Sequence, residues 1–253
     1  MELLAPINSF ESLLTAHHAG ADAFYAGAPH MNARKRAGSI KLNELSKIIQ
    51  AAHSYGKKIY LAMNILAKDE EFSIVKKICS FSLLHGIDAL IIQDLGILSF
   101  INRYYPEIPV HASTQLFAYN LNSHLILAEL GVKRVILPRE MRYDEIQFIC
   151  QNSPLEIETF VHGAMCFSFS GMCLFSDYLY NKSGNRGECS QICRYFFETD
   201  KKHKTPFAMK DLVSDELVLK FRDIGVKSFK IEGRLRSLAY LKESVSRYRD
   251  LLD

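Results

Sequence analysis

Four cysteines dominate the chemistry available to this chain. Cys166, Cys173, Cys189 and Cys193 fall within 28 positions, spaced C-x6-C-x15-C-x3-C, out of six cysteines in 253 residues. Thiolates are soft ligands, and four of them suit an iron–sulfur cluster or zinc. The three residues between Cys189 and Cys193 let both sulfurs face one centre from one turn of chain. The gap from Cys173 to Cys189 is polar and loop-like, so folding rather than a local knuckle must close the site. Three other readings compete: two disulfides, zinc, and unrelated buried thiols. Met1-Glu2-Leu3-Leu4 carries neither the basic start nor the apolar run of an export signal, which argues for reduced thiols. Zinc favours tighter pairs such as C-x2-C. Cys79 and Cys150 lie in helix-like stretches away from the four and read as packing residues.

A second set of reactive residues ends a series of apolar runs. Such runs are expected at 2–6, 23–27, 58–64, 89–93, 109–113, 134–138, 155–161 and 228–232. Asn64, Gln93-Asp94, Ser113-Thr114-Gln115, Arg139-Glu140, His162 and Lys230 to Arg234 sit at or just past their C-terminal ends, and Arg34 follows the second. Convergence of so many polar groups from separate strands points to a ligand pocket. Glu158 and His162 are an even number of residues apart, which on a regular strand puts both on one face. They are candidates for proton transfer or orientation. Lys230 and Glu232 share a strand face in the same way, as a catalytic pair or as a structural ion pair.

Those strands need a scaffold. Gly20-Ala21-Asp22-Ala23, Gly86-Ile87-Asp88-Ala89, Gly131-Val132-Lys133-Arg134 and Gly225-Val226-Lys227-Ser228 repeat one junction, with Gly56 as a looser copy. Each follows a helix-like stretch and precedes an apolar run, the pattern of a glycine that ends a helix in the left-handed conformation. Recurrent helix–Gly–strand units predict alternating β and α elements around a parallel sheet. Eight units predict an α/β fold of (β/α)8 TIM-barrel type, one domain over 1–253, with a cysteine-rich insertion at 164–212 after the seventh strand. Active sites of such barrels lie at the C-terminal ends of the strands, so the insertion projects over that mouth. No Gly-x-Gly-x-x-Gly follows the first strand, which argues against a dinucleotide site.

Composition narrows the class further. Hydrophobic residues make up 48% of the chain, enough for one large core, and a net charge of +3 does not by itself announce nucleic acid. No apolar run approaches the roughly 18 residues of a membrane helix. A cytoplasmic protein is expected. The chain contains neither His-Glu-x-x-His nor Gly-x-Ser-x-Gly.

The run from Glu158 to Cys166, continued by Ser170-Gly171-Met172-Cys173, resembles the signature of the collagenase-like peptidases of unassigned catalytic type. Glu2 to Pro6, His111 to Gln115, Asn185 to Gln191 and Lys230 to Arg234 extend the resemblance over nearly the whole chain. Several members of that family are oxygen-independent hydroxylases with a [4Fe-4S] cluster on four cysteines. They act on pyrimidines of transfer or ribosomal RNA, some with prephenate as oxygen source, or on a quinone precursor ring. The resemblance is strongest to the ribosomal RNA branch that makes 5-hydroxycytidine. It implies Cys166, Cys173, Cys189 and Cys193 as cluster ligands and RNA as substrate. It also implies an electron donor or partner subunit; Arg34, Gln115, Arg186 and Arg234 are the candidate substrate-binding residues, by their position at or beyond strand ends or in the cysteine insertion. Guanidinium forks suit the carboxylates of a prephenate-like donor. Two rival functions stand beside this one: a peptidase, as the family name says, and a non-catalytic cluster-bearing partner of another subunit.

Overall fold

The computed structural model describes residues 1–34, 40–199 and 202–253. Eight parallel strands close into a barrel: β1 (Glu2–Pro6), β2 (Ala23–Gly27), β3 (Lys58–Met63), β4 (Ala89–Ile92), β5 (Val110–Ala112), β6 (Arg134–Ile136), β7 (Glu156–Gly163) and β11 (Ser228–Ile231). Neighbours in sequence pair in order from β1 to β7, and β11 joins β7 back to β1. The (β/α)8 expectation therefore holds.

Helices α1 (Phe10–His18), α2 (Leu42–Ser54), α3 (Phe72–His85), α4 (Leu95–Tyr104), α5 (Leu121–Glu129) and α6 (Tyr143–Asn152) alternate with the first seven strands. After the insertion come α8 (Asp215–Asp223) and α9 (Leu238–Leu252). All five junction glycines have positive φ, between 66° and 99°. This is the left-handed geometry that lets a helix stop and its chain turn directly into a strand. None of the described helices is long and apolar enough to cross a membrane.

Apolar burial divides into two bodies. The larger lies between strands and helices and includes Leu13, Ile48, Val75, Leu98, Val161, Phe229 and Tyr248. Cys79 belongs to it, and burial pushes its thiol up to about 12, as expected of a packing residue. The smaller fills the barrel interior with Leu4, Tyr25, Tyr60, Ala62, Ile91, Ile136 and Phe160.

One charged layer replaces apolar filling near the N-terminal end of the barrel. Arg134 meets Glu2 at 2.5 Å, Glu156 at 2.8 Å and Glu158 at 3.3 Å, while Tyr60 and Ser228 donate hydroxyls to Glu2 at 2.6 and 2.7 Å. A buried charge is tolerable only when paired in this way.

The segment between β7 and α8 forms its own small lobe. It contains α7 (Phe175–Tyr180), the antiparallel pair β8 (Phe197–Thr199) and β9 (Lys202–Lys204), and β10 (Leu212–Val213), none of which the strand and helix periodicity of the sequence identifies. Phe167, Phe197 and Phe207 form its aromatic centre, with Phe207 ring centroids 5.2 and 5.3 Å from the other two. β10 pairs antiparallel with the end of β7. Arg186 donates to the Leu66 carbonyl and to the Glu71 carboxylate, and Ser170 Oγ donates to Glu140 at 3.4 Å. These ties hold the lobe over the barrel mouth.

Candidate functional site

A cavity of about 230 Å3 opens between the barrel mouth and the lobe. Its floor is apolar, made of Tyr25, Ala62, Ile91, Ile136 and Phe160 from five strands. Its roof carries all four cysteines, Cys166, Cys173, Cys189 and Cys193. All four are free thiols and half-buried. The Phe175 N–H donates to Cys173 Sγ at 3.4 Å and the Gln191 N–H to Cys189 Sγ at 3.4 Å. Ser176 Oγ stands 4.0 Å from Cys189 Sγ. The Cys193 thiol is pushed up by burial and further by the other three sulfurs nearby. Among the described residues, no three His, Cys, Asp or Glu side chains converge as a single metal ion would require.

One wall is strongly basic. Arg34, Arg139, Arg194, Lys230 and Arg234 line the cavity, and among the described residues Glu232 is the one acidic side chain lining it. Glu232 takes Arg34 Nη2 at 3.2 Å and Arg139 Nη2 at 3.9 Å. Burial alone would raise its carboxyl, but Arg34, Arg139 and Arg234 outweigh that and hold it down at about 2. Tyr25 donates to the Ile231 carbonyl at 2.9 Å and to Glu232 at 3.3 Å, and its ring lies 4.2 Å from Lys230 Nζ. Arg139 stacks over Phe160 at 3.8 Å from the ring centroid. The Nε atoms of Arg139 and Arg234 are buried without a hydrogen-bond partner among the described residues. Unpartnered guanidinium donors on the wall of a cavity are positioned for an anion.

The opposite wall is neutral. Asn64 follows β3 and Gln115 follows β5; Asn64 Nδ2 donates to Gln115 Oε1 at 3.1 Å, and both line the cavity.

The sequence-derived candidates divide among these places. Arg34, Gln115, Lys230, Glu232, Arg234 and the four cysteines line the cavity. Glu158 does not. It is fully buried one layer below, bound to Lys230 Nζ at 2.9 Å and to Arg134, so the Lys230 ion pair is with Glu158 rather than Glu232. The shared face expected for Glu158 and His162 is also wrong. Phe160 pairs with Lys230 but His162 pairs with Ile231, so Val161 is the extra residue of a β-bulge. The bulge turns His162 out of the barrel, against Tyr240 and Tyr248 of α9, with Nδ1 3.4 Å from the Tyr248 hydroxyl. Arg186 is not at the cavity wall either, being held by Leu66 and Glu71. Sequence reasoning places Arg139 among the strand-end polar residues without giving it a role, and does not single out Tyr25. Their signal is position alone, Arg139 just beyond the sixth strand and Tyr25 facing inward on the second.

Comparison with known proteins places this architecture. The chain is 36% identical over its full length to a 23S rRNA 5-hydroxycytidine synthase of Escherichia coli (strain K12). It is 35% identical to tRNA hydroxylation protein P1 of Bacillus subtilis (strain 168) and 32% identical to a collagenase of Porphyromonas gingivalis, again over all of this chain. It spans 39%, 63% and 64% of those relatives' own lengths. A solved U32 peptidase structure superposes with a TM-score of 0.65 at 13% identity, covering 92% of this chain and 93% of its own. The model of peptidase family U32 matches residues 8–253, and the chain belongs to that family.

Proposed function

We propose that this chain is the barrel of an iron–sulfur-dependent, oxygen-independent hydroxylase acting on a pyrimidine in RNA. Ribosomal RNA cytidine and the transfer RNA wobble uridine are the candidate targets, with prephenate as the oxygen donor. The observation that carries this reading is the joint placement of four free cysteines and a basic wall around one cavity. The names of the relatives in Escherichia coli and Bacillus subtilis support it.

The donor set fits a cluster. Four half-buried thiols with backbone N–H groups directed at two of the sulfurs match the way thiolate clusters are held and tuned. When bound, a cluster would supply the electron transfer that acid–base side chains cannot perform at the non-acidic carbon 5 of a pyrimidine.

The remaining work falls to this chain's residues. Arg34, Arg139 and Arg234 would clamp the carboxylates of the donor, and Glu232 keeps those guanidinium groups aimed at the cavity. The apolar floor excludes water beneath the base. Lys230 is ion-paired with Glu158 at 2.9 Å and faces the cavity from below.

A peptidase, as the family name has it, that relied on a histidine base is not supported by this cavity, which no histidine lines among the described residues. The deciding experiment is mass spectrometry of RNA nucleosides from cells with and without the gene, beside gelatin and casein digestion by the purified protein. Loss of a hydroxylated pyrimidine supports the proposal. Unchanged nucleosides with protein cleavage would overturn it.

A further inference from the structure

The two cavity walls differ in kind, and the neutral wall has a fixed polarity. The Ala33 backbone N–H lies 3.1 Å from the Asn64 side chain. A backbone N–H can only donate, so the Asn64 atom facing it is the oxygen. Asn64 must then turn its NH2 group to Gln115, at 3.1 Å, and Gln115 must meet it with its own oxygen. An amide orientation is normally an assignment from the surrounding network; here one backbone donor settles both side chains in sequence. What remains is Gln115 Nε2, a donor group that makes no hydrogen bond among the described residues, on a residue only 7% exposed.

The lobe leaves room for this group. Gly171 passes directly over it, and a Cβ there would stand 2.4 Å from Gln115 Nε2. The φ of +95° at Gly171 also disfavours any side chain. The NH2 group thus belongs to a buried residue lining the cavity, is oriented, and has no partner among the described residues.

Its position says what it would bind. The guanidinium groups occupy the β2, β6 and β11 side, where a carboxylate gains charge-assisted bonds. Gln115 and Asn64 stand on the β3 and β5 side, with no charge between them. A neutral amide donor matches a neutral carbonyl oxygen. Uracil and cytosine share such a ring carbonyl, and adenine has none.

We propose that Gln115 Nε2 donates to a ring carbonyl of the target pyrimidine, with its polarity set by the relay from Ala33 through Asn64. This rests on the pyrimidine reading above and adds the residue that selects the base. It makes Asn64 a positioning residue. Replacing Asn64 by Asp keeps size and the bond from Ala33 but removes the donor to Gln115. The Gln115 amide should then turn over and present its oxygen to the ligand.

The test measures binding of uridine, cytidine and adenosine monophosphate, and separately of prephenate, to the anaerobically purified full chain by calorimetry. Gln115→Leu and Asn64→Asp should each weaken both pyrimidine nucleotides about tenfold, the scale of one buried hydrogen bond left unmade. In Gln115→Leu prephenate affinity should stay within about twofold, since that variant leaves the charge of the cavity and the guanidinium wall unchanged. Asn64→Asp is nearly isosteric, so it keeps the test sharp if Gln115→Leu folds poorly. Unchanged pyrimidine binding in both variants overturns the proposal, as does a loss that falls on prephenate instead. Equal binding of adenosine monophosphate by the wild type also overturns it. A wild-type chain that binds prephenate but no pyrimidine nucleotide defeats the proposed RNA substrate itself, a separate result.

Discussion

Glu158 and His162 leave the same strand in opposite directions, because the bulge at Val161 inserts one residue between them. Tyr248 anchors the bulge from α9. Its hydroxyl donates to the Val161 carbonyl at 2.7 Å and accepts from the Ser214 N–H at 3.0 Å. His162 is therefore a packing and hydrogen-bonding group of the outer shell. Replacing it by Ala should cost about 1–2 kcal/mol of stability and leave ligand affinity within about twofold. Denaturant unfolding and prephenate calorimetry check both halves. A large affinity loss at unchanged stability would return His162 to the site.

The cysteine assignment predicts colour. Anaerobically purified protein should be brown, with iron and sulfide near cluster stoichiometry. Cys166→Ala should bleach it, whereas Cys79→Ala should not, since Cys79 is fully buried in the outer core. One zinc per chain and no iron in such a preparation would refute the cluster.

The basic wall predicts a division among arginines. Arg139→Lys and Arg234→Lys keep charge but lose the planar fork, and each should weaken prephenate about tenfold. Arg186→Ala should leave that affinity within about twofold. Its effect should be faster proteolysis of the lobe, because Arg186 ties it to Leu66 and Glu71. Equal losses from all three would mean that the lobe and the basic wall act as one unit.

Glu232 is the counter-charge that makes three guanidinium groups tolerable in one place. Glu232→Gln should destabilise the fold by about 3–5 kcal/mol, the usual cost of breaking a buried ion pair from one side. Prephenate should restore more stability to this variant than to the wild type, which thermal unfolding with and without it would reveal. Identical increments would count against a shared anion site.

Acid should act in two windows. His111 is buried, and burial together with Arg134, Lys230 and Lys58 holds its pKa well below 6.5. The unfolded chain therefore binds a proton that the folded one refuses, and stability falls as pH drops below the unfolded value of about 6.5. Glu232 has its folded pKa at about 2 against an ordinary glutamate value of 4.5, so its contribution is present above 4.5 and disappears towards 2. Urea unfolding at several pH values should show both losses. His111→Phe should flatten the upper window alone, and an unchanged slope there would refute the His111 assignment.

The sequence by itself determined the scaffold and the clustering of chemistry at one end of it. Repeated helix–Gly–strand junctions and buried apolar runs are local, periodic signals, and they specify eight β/α units whatever else the chain does. Four close-set cysteines after the seventh strand are equally local. Only the tertiary structure decided which polar groups share a cavity. A one-residue bulge reverses strand parity, and no spacing rule distinguishes Glu158 with His162 from an ordinary alternating pair. Arg186 and Arg139 differ in the partners that folding brings near them, Glu71 for one and Phe160 with Glu232 for the other. The orientation of the Gln115 amide depends on a backbone N–H more than 80 residues away in the chain, and that relationship exists only once the barrel has closed.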